Sequence, residues 1–247
     1  MYILFHMWEK SATSLFRNGL INLLNVYSPH DIGMVRTYSV SLEDNFYSDE
    51  VFQFIKNKIK EDINTRRHLN DFSLKGFHII HLRDFRDMLI SNYWNTWIHP
   101  ECLAIKNQKA IIANCKDVNE YALYKRDSVA YTGYSVDFFN EVLIKEYNYL
   151  LKYIQDNGME EIKFVYYEDM VADFKNYLCQ IQPIFGLNDT DVDAIYTHLN
   201  KTIVPDGGFK RKVFPGAYKD ELNKDLSNYF VEAYKKYPFL HRYIEEL

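Results

Sequence analysis

Lys10, Ser11, Thr13 and Ser14 stand together in the run Glu9-Lys-Ser-Ala-Thr-Ser-Leu15, after an apolar stretch from Tyr2 to Trp8 and before leucines at helical spacing. One ammonium, three hydroxyls and the backbone N–H groups of a helix start converge there. The partial positive charge of a helix N-terminus favours phosphate or sulfate, so the chemistry on offer is oxyanion binding. Ser and Thr at a helix start are also ordinary N-capping residues, and on these residues alone the two readings carry similar weight. A Walker A loop needs G-x-x-x-x-G before Lys-Ser/Thr, and no glycine precedes Lys10. An ordinary ATPase or GTPase is disfavoured.

Two further features suit anions. Arg83 follows the apolar run Gly76-Phe-His-Ile-Ile-His-Leu82, and Ser91 lies in the next helical stretch, roughly 10 Å past Asp84 at about 1.5 Å per residue. An arginine offers a planar fork suited to phosphate and a serine adds a hydroxyl; Arg86 reads as a solvated neighbour. The competing reading pairs Arg83 with Asp84 or Asp87. Lys210-Arg211-Lys212, in a loop punctuated by Gly and Pro, is a third candidate within an acidic chain. Together these describe a ligand with phosphates at both ends.

The elements that must position these residues alternate. Tyr2 to Trp8 reads as a strand, and the helix after it carries Leu15, Leu20, Leu23 and Leu24 and closes at Ser28-Pro29. Gly33 to Val40 reads as the second strand, followed by an acidic loop and a helix over about 49–63. Gly76 to Leu82 is the third strand, with Asp84 as N-cap of a helix reaching about Trp97. Residues 100–134 are polar and weakly periodic, which fits a lid or an insertion carrying short helices. A long helix over 136–157 ends at Gly158, a strand over 161–167 follows, then helices over 177–185 and 189–200, and one last helix after the loop at 204–218. Strands alternating with helices predict an α/β fold in three layers, α/β/α, around a mostly parallel sheet, with a P-loop-like turn after the first strand. Ligands bind such sheets beyond the carboxyl ends of the strands, where Lys10–Ser14, Arg83 and Tyr167 fall.

A length of 247 residues without a Gly/Ser/Pro-rich linker predicts one domain, 1–247. The formal net charge of -5 argues against a nucleic-acid partner, which demands a basic face. Aromatics make up 17% of the chain, enough to build a core from rings with polar tips. Cys102, Cys115 and Cys179 form neither a C-x-x-C pair nor a disulfide framework, so a reducing compartment is expected and no metal site follows. Tyr2 to Trp8 is too short to span a membrane and lacks the flanks of a signal peptide, so a soluble cytoplasmic protein is expected.

These residues resemble the sulfotransferases that use 3′-phosphoadenosine 5′-phosphosulfate, PAPS, and release 3′-phosphoadenosine 5′-phosphate, PAP. Glu9-Lys-Ser-Ala-Thr-Ser-Leu15 is similar to the family's P-K-S-G-T-T-W loop, and Leu82-Arg-Asp-Phe-Arg-Asp-Met-Leu-Ile-Ser91 to its R-x-P-x-D-x-x-x-S segment. Phe164-Val-Tyr-Tyr-Glu-Asp-Met170 resembles the Y-E-D-(L/M) strand end, and Arg211-Lys-Val-Phe-Pro-Gly216 keeps the spacing of the R-K-G-x-x-G loop. The resemblance implies that Lys10, Ser11, Ala12, Thr13, Ser14 and Leu15 hold the 5′-phosphosulfate. It places Arg83, Ser91, Arg211, Lys212 and Val213 around the 3′-phosphate and Tyr167 beside the adenine. Four departures stand in the first loop: Glu9 for Pro, Ala12 for Gly, Ser14 for Thr and Leu15 for Trp. Ala12 adds a Cβ where backbone must approach phosphate, Leu15 removes a stacking ring, and in the late loop Val213 replaces Gly and Tyr218 replaces Trp.

The implied reaction is sulfuryl transfer to a hydroxyl or amine of a small-molecule acceptor by in-line displacement, with no metal. Lys10 would neutralise charge on the leaving oxygen. A general base is harder to place. The family's K-T-H histidine corresponds to Tyr38 in Arg36-Thr-Tyr38, whose phenol is a poor base at neutral pH. Glu43 is the first alternative and His99 a weaker one, while His6, His78 and His81 are expected in packed structural roles, the last two facing the same way. The rivals are a P-loop nucleotide or small-molecule kinase and a catalytically degenerate PAP-binding module. Acceptor identity and oligomeric state are left open.

Overall fold

In the computed structural model, residues 2–8, 20–37, 76–98, 114–124, 135–203 and 215–244 are described. Four strands, β1 (Tyr2–Trp8), β2 (Asp31–Thr37), β3 (Phe77–Leu82) and β4 (Ile162–Tyr166), form one sheet in the order β2-β1-β3-β4. Every pairing is parallel. Parallel strands need long crossovers, and their near-continuous apolar runs, Ile3-Leu-Phe5 and Ile79-Ile80 among them, are what burial on both faces requires. The chain moves from β1 to β2 on one side and returns to place β3 on the other. The order therefore reverses between β1 and β3.

The second strand begins at Asp31, two residues ahead of the run from Gly33, because the parallel register pairs Tyr2 with Asp31 and carries the ladder back to there. Register also aligns Arg36, Met7, His81 and Val165 in one row near the carboxyl edge.

Two compact units share the described residues. The first holds the sheet with α1 (Ile21–Tyr27), α6 (Tyr167–Ala172), α7 (Phe174–Phe185) and α8 (Asp189–Ile203). One sheet face presents Ile3, Phe5, Met7, Ile79 and Val165 to Leu20, Ile21 and Leu24, to Tyr177, Leu178, Ile181 and Phe185 of α7, and to Val192, Ile195 and Leu199 of α8. Those helical residues recur at three and four, the spacing that puts one stripe of each helix on the core. Phe5 and Phe185 stack with centroids 5.7 Å apart. Asp173 caps α7 by accepting from the Asn176 N–H at 3.0 Å, and Gly186 closes it at φ +63°.

The second unit is built on α2 (Phe85–Ile98), with α3 (Val118–Ala122), α4 (Val136–Phe138), a π turn (Phe139–Leu143), most of α5 (Ile144–Asn157), α9 (Tyr218–Glu221), α10 (Lys224–Tyr234) and a 3₁₀ turn (Pro238–Tyr243). Every side chain from Phe85 to Tyr93 is buried, so α2 is an interior helix with no wet face in that stretch. Rings pack on it: Phe85 meets Phe139 at 5.0 Å and Phe230 at 5.2 Å, and Tyr147 meets Tyr237 at 5.3 Å. The long helix over 136–157 contains the π turn, whose extra residue lets Phe138 and Phe139 both reach the core. The single last helix of the sequence reading is three short pieces, since Asn223 starts a new cap, accepting from the Leu226 N–H at 2.9 Å, and Pro238 starts the 3₁₀ turn. Within 100–134, residues 114–124 hold α3, tied down by Asn119, which donates to the Glu221 carbonyl at 3.1 Å and accepts from the Asn223 N–H at 2.7 Å.

Candidate functional site

The strands β1 and β3 flank the point where sheet order reverses, and in open α/β sheets the crevice beyond the carboxyl ends of such strands is where ligands bind. In sequence, Glu9 follows the last residue of β1 and Arg83 follows the last residue of β3. Lys10, Ser11, Ala12, Thr13, Ser14 and Leu15 lie outside the described residues, as do Tyr38, Glu43, His99, Arg211, Lys212 and Val213. The described candidates are Arg83, Ser91 and Tyr167.

Arg83 and Ser91 belong to one unit. Arg83 is 4% exposed and precedes α2; Ser91 is buried two turns into it. The spacing Arg83, Asp87, Ser91 is four and four, so Asp87 and Ser91 share one face of α2 with the arginine ahead of them.

The neighbouring Arg86, expected in solvent, is wholly buried. Its guanidinium pairs with Asp84, Nε lying 3.0 Å from both carboxylate oxygens, and it also donates to Ser227 Oγ at 3.2 Å and to the Tyr243 carbonyl at 2.8 Å. The Tyr218 ring covers it at 3.7 Å. Burial works against the charged guanidinium, but the hydrogen bonds and charge of Asp84 outweigh it and raise the Arg86 pKa. Asp84 also accepts from the Arg86 N–H at 2.9 Å, the N-cap contact read from the sequence, and from the Tyr234 hydroxyl at 2.9 Å. Arg86 is thus an arginine bonded to Asp84. The signal that marks it lies in its flanks: Phe85 and Met88-Leu-Ile90 leave no polar face for a helix here, so its one arginine must find a buried partner.

Asp87 does something different. Its carboxylate accepts from the Gly216 N–H at 2.7 Å and from the Tyr218 N–H at 3.2 Å, fastening the turn that starts α9. Gly216 adopts φ +88°, where a side chain is strained. Burial, the largest cause, and the charge of Asp84 push the Asp87 pKa up to about 6; the Arg83 charge and the two amide bonds pull it down. Sequence reading weighed Asp87 as a partner of Arg83 and gave it no distant turn to hold. Its partners lie more than a hundred residues away, and no local pattern announces them.

Tyr167 belongs to the other unit and is the first residue of α6 rather than the last of β4. Its ring is partly buried against the sheet core and stands edge-on to His81 at 6.5 Å. His78 and His81 are three residues apart on a strand and so face opposite ways, correcting the expectation that they share a face. His78 Nδ1 lies 2.8 Å from His6 Nε2, and His81 Nδ1 lies 2.9 Å from the Tyr177 hydroxyl. All three histidines are fully buried and hydrogen-bonded, the packed role expected of them.

No family model and no curated protein matches the chain. Among solved structures it is similar to mouse sulfotransferase SULT7A1 complexed with PAP, at a TM-score of 0.54 and 12% identity, over 100% of this chain and 88% of that one. The fold is sulfotransferase-like, an α/β architecture around a parallel sheet. No helix among the described residues is long and apolar enough to cross a membrane.

Proposed function

We propose that the chain is a sulfotransferase that moves a sulfuryl group from PAPS to a hydroxyl or amine of a small-molecule acceptor. The supporting observation is the end-to-end likeness to a sulfotransferase complexed with PAP, coming on a chain whose sequence independently carries the motif resemblance. The acceptor oxygen or nitrogen attacks sulfur in line with the S–O bond to the 5′-phosphate. That bond breaks, its electrons go to the phosphate oxygen of departing PAP, and the acceptor proton passes to a base. Lys10 neutralises the charge growing on the leaving oxygen, and Ser11, Thr13, Ser14 and the backbone of Ala12 and Leu15 hold the 5′-phosphate. Arg83, Ser91, Arg211, Lys212 and Val213 surround the 3′-phosphate, for which a buried arginine fork and a nearby hydroxyl are suitable donors. Tyr167 offers the adenine its ring edge. Glu43 is the first choice of base, ahead of Tyr38 and His99. The scheme needs no metal, uses the chain as one catalytic domain with an acceptor-side insertion around 100–134, and suits a reducing, cytoplasmic setting.

Labelled PAPS with an acceptor panel, and calorimetry with PAP and ATP, test this reading. Lys10→Ala should lower transfer by ~10²-fold or more while largely retaining PAP binding. Arg83→Ala should weaken PAP binding by ~10-fold or more, the size of a lost bond to a charged group. Tight ATP binding with no response to PAP would turn the assignment toward a kinase, and PAP binding without transfer toward a binding module.

A further inference from the structure

Asp87 is a buried carboxylate that the reaction scheme does not use, and its two acceptor bonds reach across 129 and 131 residues of sequence. The residues it holds begin four positions after Lys212. On its own element Asp87 stands between Arg83 and Ser91 in the four-residue spacing, and the Arg83 charge acts on it directly. One carboxylate therefore links the segment carrying two 3′-phosphate candidates to the loop carrying the others. We propose that Asp87 is a positioning residue for nucleotide binding, tying the Gly216–Tyr218 turn, which follows Arg211 and Lys212 in sequence, to the start of α2, the segment that carries Arg83 and Ser91. The inference rests on the sulfotransferase reading.

Burial disfavours the ionised carboxylate more than Arg83 and the two amides favour it, so at neutral pH the charge costs folding free energy. What it supplies in return is a fixed acceptor for two backbone donors, at a turn whose first held residue is a positive-φ glycine. Among the described residues, the charged and titratable groups around it are Arg83, Asp84 and Tyr218, whose ring centroid is 3.7 Å from the Arg86 guanidinium and 6.0 Å from Lys219 Nζ.

Stability and affinity are thus expected to move in opposite directions on Asp87→Asn. This variant keeps one carbonyl acceptor and no charge; at pH 7.5 (roughly 1.5 units above the wild-type ionisation) it should be at least as stable as the wild type yet bind PAP ~10-fold more weakly, with Asp87→Ala weaker still. Asn119→Ala, which removes one bond to the last residue of α9 and one just beyond it, is the control: it should lose stability and keep wild-type affinity. Wild-type affinity should also decline below about pH 6 more steeply than that of Asp87→Asn, the ionisation of the ligand's own phosphate being common to both. Amide exchange of the full chain without ligand reads the tether itself: the Gly216 and Tyr218 N–H groups should exchange faster in Asp87→Ala. Unchanged exchange at those amides, unchanged PAP affinity in both Asp87 variants, or an equal loss of affinity in Asn119→Ala would each overturn the proposal. A wild type that ignores PAP would overturn the sulfotransferase reading and the nucleotide role with it, and the exchange rates would then still decide whether Asp87 holds the turn.

Discussion

Asp84 and Arg86 form an ion pair with both partners inside the protein, and such a pair is exposed by breaking it, since the remaining charge is left uncompensated. Asp84→Ala should therefore cost ~3–5 kcal/mol in denaturant unfolding, far above a surface substitution, because Arg86 stays charged beneath the Tyr218 ring. A loss under ~1 kcal/mol would mean that Ser227 and the Tyr243 carbonyl suffice for the guanidinium. Asp87 gives a pH signature of its own. Its folded pKa of about 6 lies above the unfolded carboxyl value, so the folded state binds the proton more tightly and stability falls as pH rises through the interval between the two. Across that interval the wild type should lose up to ~3 kcal/mol relative to Asp87→Asn, two units at about 1.4 kcal/mol each. A stability difference that stays flat from pH 4 to pH 7 (roughly the span of both pKa values) would contradict the assigned ionisation.

At the scale of the element, α2 combines roles that usually sit on different helices. Its start carries a buried ion pair and the acid that grips a distant turn, its second turn carries the hydroxyl proposed for phosphate, and Phe85 and its ring partners pack beside them. Helix ends elsewhere are ordinary. Gly186 ends α7 at φ +63°, and a Cβ there would lie 3.2 Å from the Pro29 side chain. Gly186→Ala is expected to destabilise by ~1–2 kcal/mol, from left-handed strain plus the close contact, and thermal unfolding measures it. Gly158 also has positive φ but open space around it, so its alanine variant should show the strain alone.

For the whole molecule the binding reading has a thermodynamic consequence. A ligand that binds only the folded state stabilises it by an amount set by its concentration over its Kd, ~2.7 kcal/mol at a hundredfold excess. PAP should raise the unfolding temperature progressively, ATP should not, and the Lys10→Ala protein should keep most of the PAP response while losing transfer. A net charge of -5 makes the basic tripeptide at 210–212 conspicuous, and the response to PAP should weaken as salt screens it.

The alternation of apolar runs and helical periods determined the parallel α/β sheet, because burial on both faces demands those runs and the crossovers demand helices of that length. The types and spacing of Arg83 and Ser91 suit an anion, and the proposed phosphate role takes them from the sequence. Short-range patterns also set most helix ends, through Asp84, Asp173 and Gly186. Tertiary structure alone decided the rest. That Arg86 is buried, which partners His78 and His81 meet, and what Asp87 holds all depend on residues distant in sequence. Local propensity carries no information about contacts that exist only once the sheet and its helices have closed together, and there the folded geometry chose among side chains that the sequence leaves equivalent.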